Sequence, residues 1–204
     1  NHTLLLNEGN GWTDEFKNLP KYVNGVEATY TVVETPIDGY NTAISGSMAA
    51  GFTVTNTNVE TFDIPVEKEW VGPALESVTI VLSSSASEED LTLVLNDDNS
   101  WKDAFKDLDK YTDEGIEIVY TLTEVEVENY DTEVVETENG YKFINTNTET
   151  IDLPVNKVWV GPALESVTVQ LIVDGVASED TLVLDAEGEW TATFSGLPKY
   201  NADG

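Results

Sequence analysis

The sequence predicts an all-β protein made of tandem immunoglobulin-like β-sandwich repeats of about 89 residues. Trp12, Trp101 and Trp190 follow one another at intervals of 89 residues, within GNGWTDEFKNLPKY, DNSWKDAFKDLDKY and EGEWTATFSGLPKY. Between them lie short runs rich in Val, Ile, Thr and Tyr that alternate apolar and polar residues. Six or seven such strands in a fixed period are typical of a sandwich that is repeated along the chain.

The repeat period divides the chain into three parts. Residues 1–60 correspond to the C-terminal part of a repeat, residues 61–149 to a complete repeat, and residues 150–204 to the N-terminal part of a third. We expect the chain to be a window on a longer array, with its true termini elsewhere. The junctions NTNVETFDIPV and NTNTETIDLPV contain no Gly and no Ser-rich run, so they are predicted to be semi-rigid.

The predicted strands of the complete repeat are, in order, IPVEKEW, SVTIVL, LTLVL, EIVYTLTEVEV, TEVVE and YKFINT. Asn139-Gly140 predicts a tight hairpin between the last two strands. One segment is ambiguous, because Trp101, Phe105 and Leu108 in WKDAFKDLDKY have helical spacing. Its counterpart WTATFSGLPKY contains β-favouring Thr and a Gly-Leu-Pro break, which favours a strand followed by a turn.

The composition argues against several classes of function. The chain has 39 acidic and 9 basic residues, a net charge of -30 and no arginine, so it lacks the positive surface that binds nucleic acid or anionic membranes. No apolar run approaches the roughly 18 residues of a membrane-spanning helix. There is no cysteine and only one histidine, His2, which argues against disulfides, thiolate metal sites and a Ser-His-Asp triad. We expect no metal and no cofactor.

Three polar residues of the complete repeat are predicted to face the core. Side chains two residues apart on a strand share a face, so Lys68 in VEKEW points the same way as Val66 and Trp70. By the same parity Glu124 in YTLTE and Asn145 in YKFIN face inward with their apolar neighbours. Isolated buried charges are very costly, so these groups must pair or become neutral.

A buried lysine beside a buried glutamate has two interpretations. The simpler one is an ion pair, with the asparagine satisfying backbone groups. In the other, desolvation makes both groups neutral, the amine attacks the Asn carboxamide, and loss of ammonia leaves a Lys-Asn isopeptide bond with Glu as proton shuttle. The same residue types recur with inward parity at Lys157, Glu34 and Asn56, which favours the reactive interpretation.

The order of VEKEW, LPKY or LDKY, YTLTE and FINT within about 89 residues resembles the Cna protein B-type (CnaB) repeats of Gram-positive surface adhesins and pilins, over the whole chain. The resemblance implies a spontaneous intramolecular isopeptide bond between Lys68 and Asn145, assisted by Glu124. Lys157, Glu34 and Asn56 match single members of the same triad, with partners outside this chain. The segment VGPALES is shorter than the acidic, Gly-rich loop that the family often has, which puts a loop-borne binding property in doubt.

Other candidate sites have weaker patterns. The acidic turns NDDNS and DAEGE offer oxygen ligands for calcium but lack the full calcium-loop motif, so a solvated hairpin is favoured. Glu124, Glu126 and Glu128 suggest paired carboxylates for glycoside hydrolysis, but a solvated acidic strand edge is the better interpretation. A thioester would need cysteine, and the single glutamine, Gln170, lies outside the cross-link positions.

We therefore expect a structural stalk or fibre segment of an extracellular, cell-wall-anchored or filament protein, and no enzyme beyond single-turnover formation of its own cross-links. Its expected partners are neighbouring repeats of the same chain and other copies in a fibre. The alternative is an adhesive module that binds a host matrix protein or glycan through exposed faces or loops. The short, repeated loops favour the stalk.

Overall fold

The computed structural model describes residues 2–201, whose regular secondary structure is almost entirely β-strand, so the predicted all-β class is confirmed. Within this part of the chain no helix has the length and apolar character needed to span a bilayer. The chain divides into two compact units, one of residues 1–60 with 113–115 and the other of residues 61–112 with 116–204. Each unit is described by itself below.

The first unit contains two antiparallel hairpins. The short one joins β1 (Tyr22–Val23) to β2 (Val26–Glu27), and the long one joins β3 (Tyr40–Ser47) to β4 (Gly51–Asn58). The segment YTVVE, residues 30–34, is not assigned to a strand. Its counterpart in the complete repeat is a strand, and the difference lies in the pairing described next.

The complete repeat has seven strands in two sheets. They are β5 (Thr61–Val71), β6 (Ser77–Ser84), β7 (Ser87–Asn96), β8 (Lys102–Asp109), β9 (Tyr120–Glu124), β10 (Tyr130–Thr137) and β11 (Gly140–Asn147). The strand order is β10-β11-β5-β8 in one sheet and β7-β6-β9 in the other. Strand β9 is held by β6, and the described residues of the first unit offer YTVVE no such neighbour.

The first and last strands of the complete repeat are direct neighbours. Strand β11 runs parallel to β5, with Phe143 opposite Lys68 and Asn145 opposite Trp70, whereas the other pairings in the repeat are antiparallel. Parallel neighbours require a long crossover connection, which here contains the whole three-stranded sheet. The strands by which the chain enters and leaves the repeat therefore lie side by side.

The core lies between the two sheets and follows the period of two that the sequence predicts. Alternate residues of β5 and β6 are buried, and they pack against residues of β7, β8 and β11. Burying each large aliphatic or aromatic side chain stabilises the fold by roughly 1.5–3 kcal/mol. The buried apolar cluster consists of Ile64, Val66, Val78, Ile80, Leu82, Leu95, Phe105, Leu108 and Phe143.

The ambiguous segment WKDAFKDLDKY forms strand β8, as predicted, and a β-bulge accounts for its helical spacing. Phe105 and Leu108 are three residues apart but both are buried, because the β5–β8 register shifts between them. Asp107 lies in the bulge with a φ of +54°, and its backbone N–H donates to Asp63 Oδ1 at 3.0 Å. An extra residue in one strand thus produces a spacing that resembles a helix.

The predicted hairpin between β10 and β11 is present, but its turn lies one residue earlier than Asn139-Gly140. Thr137 pairs with Gly140, so Glu138 and Asn139 form the loop. Gly140 has a φ of +138°, and a Cβ there would lie 2.2 Å from the carbonyl oxygen of Pro65 on β5. The glycine is therefore required by the close approach of β11 to β5.

The third part of the chain forms two two-stranded sheets. Strand β12 (Thr150–Asn156) pairs with β15 (Thr191–Pro198), and β13 (Ser166–Val173) pairs with β14 (Val176–Asp185). Strand β12 ends at Asn156, which is also the last residue that pairs with β15. Its counterpart β5 continues to Val71 through pairing with β11 alone. Within residues 2–201, β12 has no neighbour equivalent to β11.

A Gly140→Ala substitution should weaken the β5–β11 contact. The added Cβ would collide with the Pro65 backbone, and the positive φ adds strain, so local stability should fall by roughly 2 kcal/mol or more. Hydrogen exchange of the β11 amides would measure the change. Gly115→Ala is the control, since its φ is also positive but nothing lies within 4 Å of the added Cβ. Equal effects of the two substitutions would contradict the steric explanation.

Candidate functional site

Lys68 on β5 and Asn145 on β11 lie on neighbouring strands with their side chains in the core. Lys68 is 4% exposed and Asn145 is 0% exposed, which makes them the most completely buried polar residues in the described chain. The predicted inward orientation of both is confirmed. Because β5 and β11 are parallel and adjacent, the two side chains lie diagonally across one strand pairing, on the same face of the sheet.

Glu124 reaches both residues from the opposite sheet. It is the last residue of β9, opposite Ile80 on β6, and its side chain is 1% exposed. Lys68 Nζ lies 2.9 Å from Glu124 Oε2, and Asn145 Nδ2 donates to Glu124 Oε1 at 2.5 Å. The structure therefore brings together the three residues that strand parity predicts to face the core.

The cluster is poorly satisfied for groups so deeply buried. Burial lowers the pKa of Lys68 below its ordinary value, and the hydrogen-bonding and Coulombic attraction of Glu124 offsets only part of that effect. Apart from their own 2.9 Å ion pair, Lys68 Nζ and Glu124 Oε2 have no further partner, and Asn145 Oδ1 has none among the described residues. Unsatisfied buried polar atoms each cost about 1–3 kcal/mol, so this arrangement is costly as it stands.

A tryptophan ring lies against the lysine, and two further aromatic rings pack against that tryptophan. Its Nζ lies 4.8 Å from the ring centroid of Trp70, and Trp70 packs edge-on against Trp101 and Tyr130 at centroid distances of 5.4 and 5.1 Å. The Trp101 carbonyl also accepts the backbone N–H of Lys68 at 2.8 Å. Strand parity predicts Trp70 beside Lys68 but does not predict Trp101 or Tyr130 in this group. For Trp101, its recurrence at intervals of 89 residues is the signal that could have indicated a role.

The first unit contains a glutamate–asparagine half of the same site. Asn56 Nδ2 donates to Glu34 Oε1 at 3.0 Å, as Asn145 does to Glu124. The Thr42 hydroxyl lies 2.8 Å from both Glu34 Oε2 and Asn56 Oδ1. Thr42 therefore contacts the carboxylate oxygen that corresponds to the one beside Lys68 in the complete repeat.

The third part contains the lysine–tryptophan half. Lys157 Nζ lies 4.4 Å from the Trp159 ring centroid, and Trp159 packs edge-on against Trp190 at 5.3 Å. The Lys157 backbone N–H donates to the Trp190 carbonyl at 2.9 Å, as Lys68 does to Trp101. The lysine is thus held against the ring without a carboxylate beside it in the described chain.

The single members of the triad in the partial repeats are less buried than their counterparts. Asn56 is exposed, and Glu34 and Lys157 are half-buried, whereas Lys68 and Asn145 are buried. The described residues of the first unit and of the third part contain only some of the strands of a sandwich.

The weaker candidate sites do not assemble. Strand β9 ends at Glu124, and Glu126 and Glu128 are exposed beyond it, so they are solvated as predicted but belong to no strand edge. The NDDNS segment is a capped 3-10 turn between β7 and β8, in different sheets, and not the expected hairpin. Its Asp97 accepts the indole N–H of Trp101 at 2.8 Å. Among residues 2–201 no group of three metal-ligating side chains is present.

Comparison with protein families and curated proteins gives a consistent relationship. The model of the Cna protein B-type domain matches residues 1–57, 64–146 and 153–204. The chain is also 35% identical over 211 residues to the collagen adhesin of Staphylococcus aureus. That match includes 96% of this chain but only 17% of the adhesin, so the chain spans a small part of its relative.

Solved structures give similar matches. Two B repeat units of the collagen binding protein of Staphylococcus aureus are 32% identical, cover 97% of this chain and 56% of that chain, and give a TM-score of 0.45. A single B repeat unit of that protein is 31% identical, with coverages of 70% and 82% and a TM-score of 0.36. A pilus adhesin of Lactobacillus rhamnosus GG is 11% identical, with coverages of 78% and 22% and a TM-score of 0.39.

In an Asn145→Ala chain, which keeps Lys68 and Glu124 but has no carboxamide, Lys68 should titrate below the ordinary lysine pKa of about 10.4. Between the folded and unfolded pKa values the unfolded chain binds more protons, so the stability of the variant should rise as pH rises through that window. NMR titration of the lysine Cε signals and hydrogen exchange of β5 would measure both effects.

The control for this titration is the double variant Asn145→Ala, Lys68→Met. It should lose the shifted lysine signal and, relative to Asn145→Ala, the rise in β5 protection with pH. A Lys68 signal that titrates with the exposed lysines would show that burial does not control its protonation.

Proposed function

Because the chain belongs to the Cna protein B-type domain family, we propose that it is a stalk or fibre segment of an extracellular surface protein, in which an isopeptide bond between Lys68 and Asn145 closes the complete repeat. The observation that carries the proposal is the buried contact of Glu124 with both residues, at 2.9 Å and 2.5 Å. Glu124 assists the reaction, and the repeat acts once on itself and is not an enzyme.

The first step of the proposed reaction is proton transfer from Lys68 to Glu124. Desolvation disfavours both charged forms, and the lowered pKa of Lys68 favours this transfer. The product is a neutral amine beside a neutral carboxylic acid. A neutral amine held in an apolar site is a nucleophile, whereas an ammonium is not.

In the second step Lys68 Nζ attacks Cγ of Asn145, and the Cγ–Nδ2 bond breaks. Glu124 is hydrogen-bonded to Asn145 Nδ2, so it can deliver a proton to the departing nitrogen and accept one from the attacking nitrogen. Of the three Nζ hydrogens, one stays on the new amide, one leaves with ammonia and one remains on Glu124. The site thereby exchanges a buried ion pair for a neutral amide.

The aromatic rings support this chemistry by excluding water. Trp70 lies against the amine, and Trp101 and Tyr130 pack against Trp70, so this aromatic group helps to keep the amine desolvated and its pKa low. They also restrict the lysine side chain to one region of the core. A lysine already restricted in this way loses less conformational freedom when it reacts.

The bond would suit a load-bearing role. It would connect the entering strand β5 to the leaving strand β11, so the 76 residues between Lys68 and Asn145 would lie outside the path of a pulling force. By analogy with disulfide loop closure, it would also stabilise the fold by roughly 4–5 kcal/mol through the entropy of the unfolded chain. We propose the cell surface or an extracellular filament as its location, with neighbouring repeats as its partners.

Adhesion is the second candidate function, and the name of the curated relative, collagen adhesin, favours it. The chain corresponds to 17% of that protein, so its binding activity need not lie in this segment. Apart from the ten residues between β8 and β9, the loops of the complete repeat are short, and among the described residues buried polar side chains occur only in the Lys68 cluster. The stalk role is therefore preferred.

The intact mass of the folded monomeric chain should be lower than its sequence mass by one ammonia. Glu124→Ala should restore the full mass, because it removes the proton shuttle. Glu34→Ala is the matched control, since it makes the same change at the corresponding position of the first unit and should leave the central bond intact. If the folded parent chain has its full sequence mass, no isopeptide bond has formed, and Lys68 and Glu124 are an ion pair only.

Immobilised collagen and a panel of matrix proteins and glycans should show no saturable binding of the 204-residue chain. The physical reason is that its large negative charge, -30, and short loops offer no convergent binding surface. Surface plasmon resonance at physiological salt would measure the binding. Saturable binding that survives Lys68→Met would favour the adhesive function over the stalk.

A further inference from the structure

We propose that Asn24 is a site of spontaneous deamidation, at which the folded chain converts an asparagine into a mixture of aspartate and isoaspartate. The reaction consumes water and needs no enzyme, metal or cofactor. It uses a backbone nitrogen as the nucleophile and no glutamate, so the proposal stands independently of the isopeptide bond proposed for the complete repeat.

The chemistry follows from an asparagine that is followed by glycine. The backbone nitrogen of Gly25 loses its proton and attacks Cγ of Asn24, the Cγ–Nδ2 bond breaks, and ammonia leaves. The product is a cyclic succinimide. Water then opens one of the two carbonyl–nitrogen bonds of the ring, which gives aspartate or isoaspartate. Glycine suits the attacking position because it has no side chain to shield its nitrogen.

The folded structure decides which asparagine reacts, because the chain contains three Asn-Gly dipeptides. In an unfolded chain the three should react at similar rates, since they share the two residues that take part. In the folded chain the carboxamide and the following backbone nitrogen must both be free to meet. The three dipeptides are Asn10-Gly11, Asn24-Gly25 and Asn139-Gly140.

Both reacting groups of Asn24-Gly25 are free. The dipeptide forms the exposed turn between β1 and β2, with φ values of +52° and +81°, as the favoured two-residue hairpin turn requires. Among the described residues no hydrogen bond holds the Asn24 carboxamide or the Gly25 N–H. Nothing lies within 4 Å of a Cβ added at Gly25. The turn therefore has room to change its backbone angles.

The hairpin that carries Asn24 should also open at little cost. Its strands are joined by two residue pairs, of which the pair nearest the turn is Val23 with Val26, and all four strand residues are exposed. One further bond runs from the Ala28 N–H to the Lys21 carbonyl at 2.9 Å. A short two-stranded hairpin is marginally stable, so Gly25 can reach the carboxamide through frequent local opening.

Asn10 is the first matched control, because both of its reacting groups are occupied. Its Oδ1 accepts the backbone N–H of Asn7 at 2.9 Å, and its Nδ2 donates to the Leu5 carbonyl at 2.7 Å. The Gly11 N–H donates to the Glu8 carbonyl at 3.0 Å. Attack would require these bonds to break first, so Asn10 should react slowly.

Asn139 is the second matched control, because its side chain is exposed but its glycine is held. Gly140 is the first residue of β11 and pairs with Thr137. The β10–β11 hairpin has eight residue pairs, and β11 also pairs with β5. Gly140 lies so close to Pro65 that an added Cβ would be 2.2 Å from its carbonyl oxygen. Opening this turn should therefore cost more than opening the turn at Asn24.

The exposure of this loop is a property of the repeat and does not depend on strands outside the chain. In the complete repeat, which has all seven strands, residues 113–117 of the corresponding loop are exposed. Glu114 there stands at the position of Asn24, followed by Gly115. The complete repeat therefore has the same kind of loop without the reactive asparagine.

The reaction would alter the hairpin permanently. Isoaspartate carries the backbone through its side-chain carbon, so it adds one methylene to the two-residue turn and displaces the pair Val23 and Val26. It also adds a carboxylate close to Glu27. The modified form should accumulate with the age of the molecule, because no step of the reaction restores asparagine.

The test is a time course of the purified 204-residue chain at neutral pH and physiological temperature, followed by peptide mapping with mass spectrometry. The Asn24 peptide should gain the mass difference between an NH₂ and an OH group and separate into aspartyl and isoaspartyl forms. It should convert at least roughly tenfold faster than the Asn10 and Asn139 peptides, which corresponds to about 1.4 kcal/mol in the cost of local opening.

A parallel time course in guanidinium chloride is the control for structure, and there the three rates should converge. Asn24→Gln should keep the fold and lose the reaction at this position, since its longer side chain closes a larger ring slowly. Native conversion of Asn24 that is no faster than that of Asn139 would overturn the proposal, as would an Asn24 peptide that stays unchanged.

The outcome also separates this proposal from the isopeptide bond. Hydroxylamine cleaves a succinimide but not an isopeptide amide, so it distinguishes ammonia lost at Asn24 from ammonia lost at Asn145. A fresh chain of full mass that later deamidates at Asn24 would overturn only the isopeptide bond. A chain that lacks one ammonia at Asn145 and keeps Asn24 unchanged would overturn only the deamidation site.

Discussion

The complete repeat depends on the contact between Lys68 and Glu124, which joins the two sheets of the sandwich at 2.9 Å in the middle of an apolar core. Such a pair is stabilising only if its geometry offsets the cost of removing both charges from water. Here the amine and that carboxylate oxygen have no partner but each other, and the Asn145 carbonyl oxygen has none among the described residues. The rest of the core must therefore hold the site in place, and it does so through Trp70 beside Lys68, the rings packed against Trp70, and the strands on either side.

Much of this arrangement could be predicted from the sequence, because strand parity is a simple rule. Alternation along VEKEW, YTLTE and YKFIN is sufficient to place Lys68, Glu124 and Asn145 in one core, and the 89-residue period separates the complete repeat from the partial ones. The strand parallel to β5 could not be predicted in this way, since periodicity carries no information on which strands are neighbours. The bulge at Asp107 was also hidden, because an added residue in a strand gives two inward residues the spacing of a helix.

The partial repeats show how far local structure alone organises the site. Lys157 lies against Trp159, and Glu34 binds Asn56, although neither half has the other beside it in the described chain. The lysine is therefore oriented by the Trp190 carbonyl, which accepts its backbone N–H, and by the ring of Trp159. The acid and the amide are oriented by their contacts with each other and with Thr42. What each half lacks is burial, since Asn56 is exposed and Lys157 is half-buried. Reactivity should thus appear only when the sheets close, because burial is what disfavours the charged forms of the amine and the acid.

The parallel pairing of β5 and β11 has a consequence for how the repeat yields under tension. Opposed forces on its two ends would slide these strands past one another, so the backbone hydrogen bonds from Val66 to Val71 would be loaded together in shear. In an antiparallel pair pulled apart from its adjacent ends, the hydrogen bonds would instead break one after another. Resistance would therefore be present in the topology of the sheet before any covalent bond forms, and a freshly folded repeat would already be a mechanical element.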